Sequence, residues 1–197
     1  MAVITVSRQL GSLGCAIVDA VSDRLGYRVA WRGLINRAAR RARTPEMALE
    51  ILDELGLLGL KPSLSSQKAY LAAIRELIEE LAREGDVLIV GRGGQAVLHG
   101  WPNTLHIRIV APEDVRVKRL AERDGISAGA ALAQIRASDR RRKRFVERAY
   151  HVDWADPAYY DLVINTASLD VLSSAGLICH AVTSIPETKK SHHGSDH

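Results

Sequence analysis

The sequence predicts an α/β fold, a parallel sheet with helices on both faces. Three observations predict it. Short, apolar, largely β-branched runs at residues 2–6, 86–90, 105–110 and 161–165 read as strands covered on both sides. Stretches with helical spacing of apolar residues separate these runs, so the strands pair in parallel through helical crossovers. Gly11 and Gly14 lie between the first strand and the first helix, where α/β proteins gather backbone N–H groups around a phosphate.

Each element follows from local chemistry. After the first strand, Ile17, Ala20, Val21 and Leu25 mark one face of a helix over 16–25, which Gly26 stops. Residues 27–31 read as a second, short strand. A helix over 33–43 follows, with Leu34, Ile35, Ala38 and Ala39 on one side. Thr44 and Pro45 open another, to about Leu55. Residues 56–66, with two Gly, one Pro and four Ser/Lys positions, read as a loop and as the segment expected to move most. Leu71, Ile74, Leu77, Ile78 and Leu81 define an amphipathic helix over 66–84, ended by Gly85. The strand Val-Leu-Ile-Val runs into Gly91-Arg92-Gly93-Gly94 and a short helix over 95–98. The strand at 105–110 leads through Pro112 and Glu113 into a helix to about Arg123. Ser127 is placed to cap a long helix reaching about Tyr150, and a last helix covers 169–182. Residues 1–185 read as one domain, and the polar, His-rich stretch 186–197 as a disordered tail.

Composition narrows the function classes. The 197 residues carry a net charge of +4 and a pI near 9.3, which points to a phosphate-bearing partner, a nucleotide or a nucleic acid. No apolar run approaches the ~20 residues of a membrane span. The first residues enter a strand without a basic leader, and Cys15 and Cys179 make no disulfide framework; both features predict a cytoplasmic protein. No H-E-x-x-H or C-x-x-C is present, so zinc chemistry has no foothold.

The carboxyl ends of the strands are where ligands sit in such sheets. The first of those loops lacks the Lys and Ser/Thr of G-x-x-x-x-G-K-[ST], but Arg8 adds a charge and Ser12 a hydroxyl. Arg92, held between glycines, offers a planar fork suited to phosphate oxygens. Arg136, Arg140, Arg141, Arg142, Lys143, Arg144 and Arg148 surround the long helix, with Asp139 among them. They read as phosphoryl-clamping arginines, as a solvated helix face, or as a nucleic-acid patch; aromatic interleaving for base stacking is sparse. His151, Asp153 and Asp156 fit no standard metal-ligand spacing and read as turn and packing residues; no metal ligand is assigned.

The order of several blocks resembles the cytidylate kinase-like family of P-loop nucleoside monophosphate kinases. The blocks are Ile-Thr-Val-Ser-Arg-Gln-x-Gly-Ser-x-Gly, Val-Gly-Arg-Gly, Ser-Asp-Arg-x-Arg, Val-Asp-Trp-x-Asp-Pro and Tyr-Asp-Leu-Val-Ile-Asn-Thr, spanning about residues 2–182. The resemblance implies a three-layer P-loop fold with a segment for the monophosphate at about 31–66 and a lid at about 125–154. It implies transfer of the γ-phosphoryl group of ATP, with Mg²⁺, to CMP or dCMP. In that reading Gly11, Ser12, Leu13, Gly14, Cys15 and Ala16, with Arg8, hold the ATP phosphates. Arg37 and Arg92 match arginines on the acceptor phosphate. Asp139 orients a lid arginine or contacts the cytosine, and Arg140, Arg141, Arg142 and Arg144 supply the catalytic lid charge. The chain departs from the family pattern where Gly-Ser-Gly-Gly-Arg-Glu becomes Gly11-Ser12-Leu13-Gly14-Cys15-Ala16. It departs again where Trp31 and Gly33 replace an Asp and a Glu, and Gly93 stands where ordinary cytidylate kinases have an Asp after Gly-Arg. These departures keep open the alternative of a nucleotide-binding sensor with impaired catalysis. Nucleic-acid binding through the arginine-rich helix is a weaker third reading.

Overall fold

The computed structural model describes residues 2–30, 37, 38, 41–43 and 63–185. The helix expected from Pro45, most of the expected loop 56–66, Trp31, Gly33 and the tail from 186 lie outside the described residues.

The strands are β1 (Val3–Arg8), β2 (Arg28–Ala30), β3 (Val87–Val90), β4 (Thr104–Val110) and β5 (Leu162–Asn165). They form one parallel sheet in the order β2-β3-β1-β4-β5. β1 is central, with Val6 beside Val90 on one edge and Ile107 on the other. The chain builds β2 and β3 on one side of β1 and then crosses to place β4 and β5 on the other. The loops leaving β1 and β3 therefore flank the topological switch, the usual ligand crevice of an open α/β sheet.

The helices are α1 (Gly14–Leu25), α2 (Leu64–Glu84), α3 (Gly94–Val97), α4 (Glu113–Asp124), α5 (Ala128–Tyr150) and α6 (Val171–Thr183). The amphipathic helix expected from residue 66 starts two residues earlier, because the Ser63 hydroxyl accepts from Ser66 N–H at 3.1 Å and serves as its N-cap. Ser127 caps α5 in the same way, accepting from Ala130 N–H at 3.2 Å. Gly26 and Gly125 end α1 and α4 in the left-handed region that glycine enters without a Cβ penalty.

Strand alternation divides the core. Ile4, Val6, Leu88, Val90, Leu105, Ile107 and Ile109 face α1 and α6. Val87 and Ile89 face the opposite way, toward Tyr70, Ile74, Leu77 and Ile78 of α2. On that second face β1 and β4 contribute a buried polar row: Thr5, Ser7, His106 and Arg108. A third, smaller cluster joins α4 to α5 through Leu120, Ala131 and Ile135, with Leu10 of the first loop packed against it. No helix among the described residues is long and apolar enough to cross a membrane.

Candidate active site

The loop from Gln9 to Leu13 is shaped by its own backbone. Gln9 N–H continues the β4 ladder to Ile109 O at 3.1 Å, and its side-chain oxygen accepts from Ala111 N–H at 3.2 Å. Gly11 has φ +81°, and a Cβ there would meet Arg116 Cβ and O at 3.0 Å. Leu13 has φ +62° and stands directly before α1. That region costs a residue with a side chain about 1–2 kcal/mol. No side chain caps α1, so its first N–H groups face the crevice with the positive end of the helix dipole behind them. Ser12 is buried and turns its hydroxyl back onto Gln9 O at 2.9 Å. Cys15 and Ala16 are exposed in the first turn.

Arg8 leaves the end of β1 over this turn. A Cβ at Gly14 would lie 2.7 Å from Arg8 Cβ and 2.9 Å from its Cγ, so Gly14 is the glycine that lets the Arg8 stem pass. The guanidinium reaches the next loop, where a Cβ at Gly91 would lie 3.2 Å from Nη1. Its Nε is buried with no hydrogen-bond partner.

The long helix closes over the loop. Arg142 Nη1 donates to Arg8 O at 3.0 Å. Asp139 accepts from Leu10 N–H at 3.2 Å through one oxygen and pairs with Arg116 Nη1 at 2.7 Å through the other. Arg116, 5% exposed, also donates to Ala111 O and Leu10 O. Helical spacing explains the selection: Ile135, Ser138, Arg142 and Val146 fall on the inward face of α5, whereas Arg140, Lys143 and Arg144 are exposed. Arg141 is half-buried, and Arg136 is held by Glu113 at 2.8 and 3.0 Å, on the surface.

The β3–α3 loop supplies the facing wall. Gly91, Arg92 and Gly93 have φ of +76°, +58° and +71°, a run of three left-handed residues. Tyr150 donates its hydroxyl to Arg92 O at 2.8 Å, and the Arg92 guanidinium stacks 5.3 Å from the centre of the Phe145 ring. A Cβ at Gly93 would fall 2.1 Å from Tyr150 Cε2. Burial raises the Tyr150 hydroxyl far above its ordinary value and pushes Tyr70 beside it to about 12, so both stay protonated.

Two further clusters brace the site from below. Trp154 donates its indole N–H to Ser7 Oγ at 2.8 Å, while Arg108 donates to Trp154 O and to the Tyr160 hydroxyl and lies 4.4 Å from the centre of the Trp154 ring. Arg119 donates to Thr166 O at 2.6 Å and to its hydroxyl at 3.0 Å; that hydroxyl reaches Ser12 O at 3.1 Å. Arg108, Arg116 and Arg119 carry no motif of their own in the sequence. Their one signal is a charge inside an apolar strand or on a helix face otherwise spaced for burial.

Arg8, Gly11, Ser12, Leu13, Gly14, Cys15 and Ala16 are thus brought together with Asp139 and Arg142, and Arg92 stands across the crevice. Arg37 lies elsewhere, on the flank of α2, 3.7 Å from Glu80, which Arg41 also holds at 2.8 Å. His151, Asp153 and Asp156 serve the backbone. His151 ends α5 in the left-handed region, Asp153 accepts from Ala155 N–H, and Asp156 caps the turn Pro157–Tyr159.

The model of the cytidylate kinase-like family matches residues 3–168. The chain belongs to that family. Among relatives of this cytidylate kinase-like chain, the cytidylate kinase of Pyrococcus horikoshii is 32% identical over 84% of the chain and 80% of its own length. The cytidylate kinase of Ignicoccus hospitalis is 30% identical over 85% and 91%. Among solved structures, an uncharacterised protein from Eubacterium ventriosum aligns with a TM-score of 0.71 at 20% identity, covering 93% of this chain and 99% of that one. Shikimate kinase from Acinetobacter baumannii aligns with a TM-score of 0.53 at 11% identity, over 95% and 96%. These structural likenesses establish the P-loop kinase fold of the family member described here.

Proposed function

We propose that the protein is a nucleotide kinase that moves the γ-phosphoryl group of ATP to a nucleoside monophosphate, with CMP or dCMP as the favoured acceptor. The observation that carries this reading is the open N-terminus of α1, ringed by Arg8, Arg142 and Arg92, in a chain of the cytidylate kinase-like family. Gly11, Ser12, Leu13, Gly14, Cys15 and Ala16 cradle the donor phosphates through their backbone, and Arg92 takes the acceptor phosphate. Of the four lid arginines, Arg142 is the strongest candidate for the reacting phosphoryl group, because it already touches the loop. Arg140, Arg141 and Arg144 add field. Asp139 acts by orienting the lid, and a contact to the cytosine would require it to leave Arg116. Arg37 reaches an acceptor only by exchanging Glu80 for phosphate. Mg²⁺ belongs to the substrate: it arrives on the ATP phosphates and neutralises the charge that develops there. The described residues gather no group of three His, Cys, Asp or Glu that would hold the ion by protein alone.

Catalysis on such a site is positioning and electrostatics, and a closed lid excludes the water that would compete as acceptor. Coupled ADP release with a panel of nucleoside monophosphates tests the proposal. The expected result is turnover with CMP or dCMP above all others, and Arg92→Ala raising the acceptor KM at least about tenfold, the loss of one charge-assisted contact. Cys15 and Ala16 put no charged side chain in the first turn of α1, which supports a second reading, a nucleotide-binding protein with little catalysis. Background turnover with every acceptor, together with ATP binding by calorimetry, would select it.

A further inference from the structure

We infer that Arg8 is the catalytic residue that contacts the transferred phosphoryl group, taking the task of the lysine this loop lacks; the inference rests on the phosphotransfer reading above. Three observations converge. The Arg8 stem runs across Gly14 at the start of α1, within 2.9 Å of where a Cβ would stand, so it enters the donor loop. Its Nη1 lies 3.2 Å from the Cβ position of Gly91, so its head reaches the loop that presents Arg92. A single planar cation therefore spans the gap between donor and acceptor loops, where the γ-phosphorus must travel. Its Nε is buried without a partner, and none of the described ion pairs contains Arg8. A desolvated guanidinium donor with nothing to bond is arranged for an anion.

The backbone adds control. Arg8 O accepts from Arg142, so the lid helix fixes the same residue whose head addresses the phosphoryl group. During transfer an oxygen of the acceptor phosphate forms a bond to the γ-phosphorus. The bond from that phosphorus to the bridging oxygen breaks, and its electron pair leaves with ADP. Charge spreads over the equatorial oxygens, and the Arg8 fork meets two of them at once, which a point-charge ammonium does not.

The test combines Arg8→Met, which keeps the stem against Gly14, with Arg8→Lys and Arg8→Gln, each checked for a thermal midpoint near that of the unaltered protein. In steady state Arg8→Met is expected to lower kcat about 10²–10³-fold with little change in acceptor KM. Arg8→Lys should recover part of that loss and Arg8→Gln none. By calorimetry, Arg8→Met should weaken ATP about tenfold or more and ADP by under about threefold, since the contact belongs to the γ-phosphate. A kcat within tenfold of the unaltered protein, or equal weakening of ATP and ADP, overturns the assignment. If the unaltered protein phosphorylates no acceptor, the kinase reading fails on its own, and the ATP-against-ADP comparison still decides the contact made by Arg8.

Discussion

Removing the Asp139 carboxylate should loosen α5 from the first loop and destabilise the whole chain. Asp139→Ala deletes the 2.7 Å pair to Arg116 and the acceptor of Leu10 N–H. It leaves a guanidinium only 5% exposed without an anion. Breaking one side of a buried pair costs about 3–5 kcal/mol. The Asp139 side chain keeps 16% exposure and Arg116 retains two backbone carbonyls, which places the loss near the lower end. We expect about 3 kcal/mol, and for a chain of this length a fall in Tm of about 6–12 °C. Asp139→Asn keeps one acceptor oxygen and should lose roughly half as much. A double-mutant cycle with Arg116→Met, read by urea unfolding, should give a coupling of about 2 kcal/mol, because the single variants strand each other's partner. A loss under about 0.5 kcal/mol, within the range of ordinary surface substitutions, would refute the anchoring role. A loss confined to acceptor KM would instead assign Asp139 to the base.

Three further outcomes follow from packing and protonation. Gly93→Ala forces a Cβ to within 2.1 Å of the Tyr150 ring at φ +71°, so it should cost about 3–4 kcal/mol, and trimming the ring in Gly93→Ala/Tyr150→Ala should return less than additive loss. His106 is buried beside Thr5, whose hydroxyl lies 2.7 Å from Nδ1, and burial lowers its pKa below 6.5. The unfolded chain then binds the extra proton, so stability should fall as pH drops below about 6.5, by at most about 1.4 kcal/mol per pH unit. His106→Asn should flatten that part of a Tm-against-pH curve. Ser127→Ala removes the α5 cap and should cost about 1 kcal/mol by chemical denaturation, with Ser127→Asp near neutral.

The sheet was legible because its signal is local. Four apolar runs with turn residues around them became β1, β3, β4 and β5, and Gly26, Gly85 and Ser127 marked helix ends by their own conformational chemistry. The sequence marks Gly11 and Gly14 as turn glycines and offers Arg8 as the charge beside them, but it does not show the path the Arg8 side chain takes. That depended on Gly14 and Gly91 making room for Arg8, two positions 77 residues apart in sequence. The arginines of α5 illustrate the same limit. Spacing alone left them around the helix, and only the packing of Ile135, Ser138 and Val146 turned Arg142 inward and Arg140 and Arg144 outward. Nothing near Arg116 in sequence announces the carboxylate 23 residues later that permits its burial. The resemblance places Arg37 and Arg92 together on an acceptor phosphate; in the structure Arg37 lies 3.7 Å from Glu80 on the exposed flank of α2, a contact that no spacing in the sequence announces.

The left-handed run at Gly91, Arg92 and Gly93 also constrains how this sequence can evolve. Position 93 carries no side chain because the Tyr150 ring already fills that volume. An aspartate after Gly-Arg cannot be acquired in one step while residue 150 is aromatic. The ring would have to shrink first, giving up its bond to Arg92 O before any new carboxylate could be gained. The two sites therefore form an epistatic pair. Among sequences of this fold, glycine at 93 should travel with a bulky residue at 150, and a carboxylate at 93 with a small one.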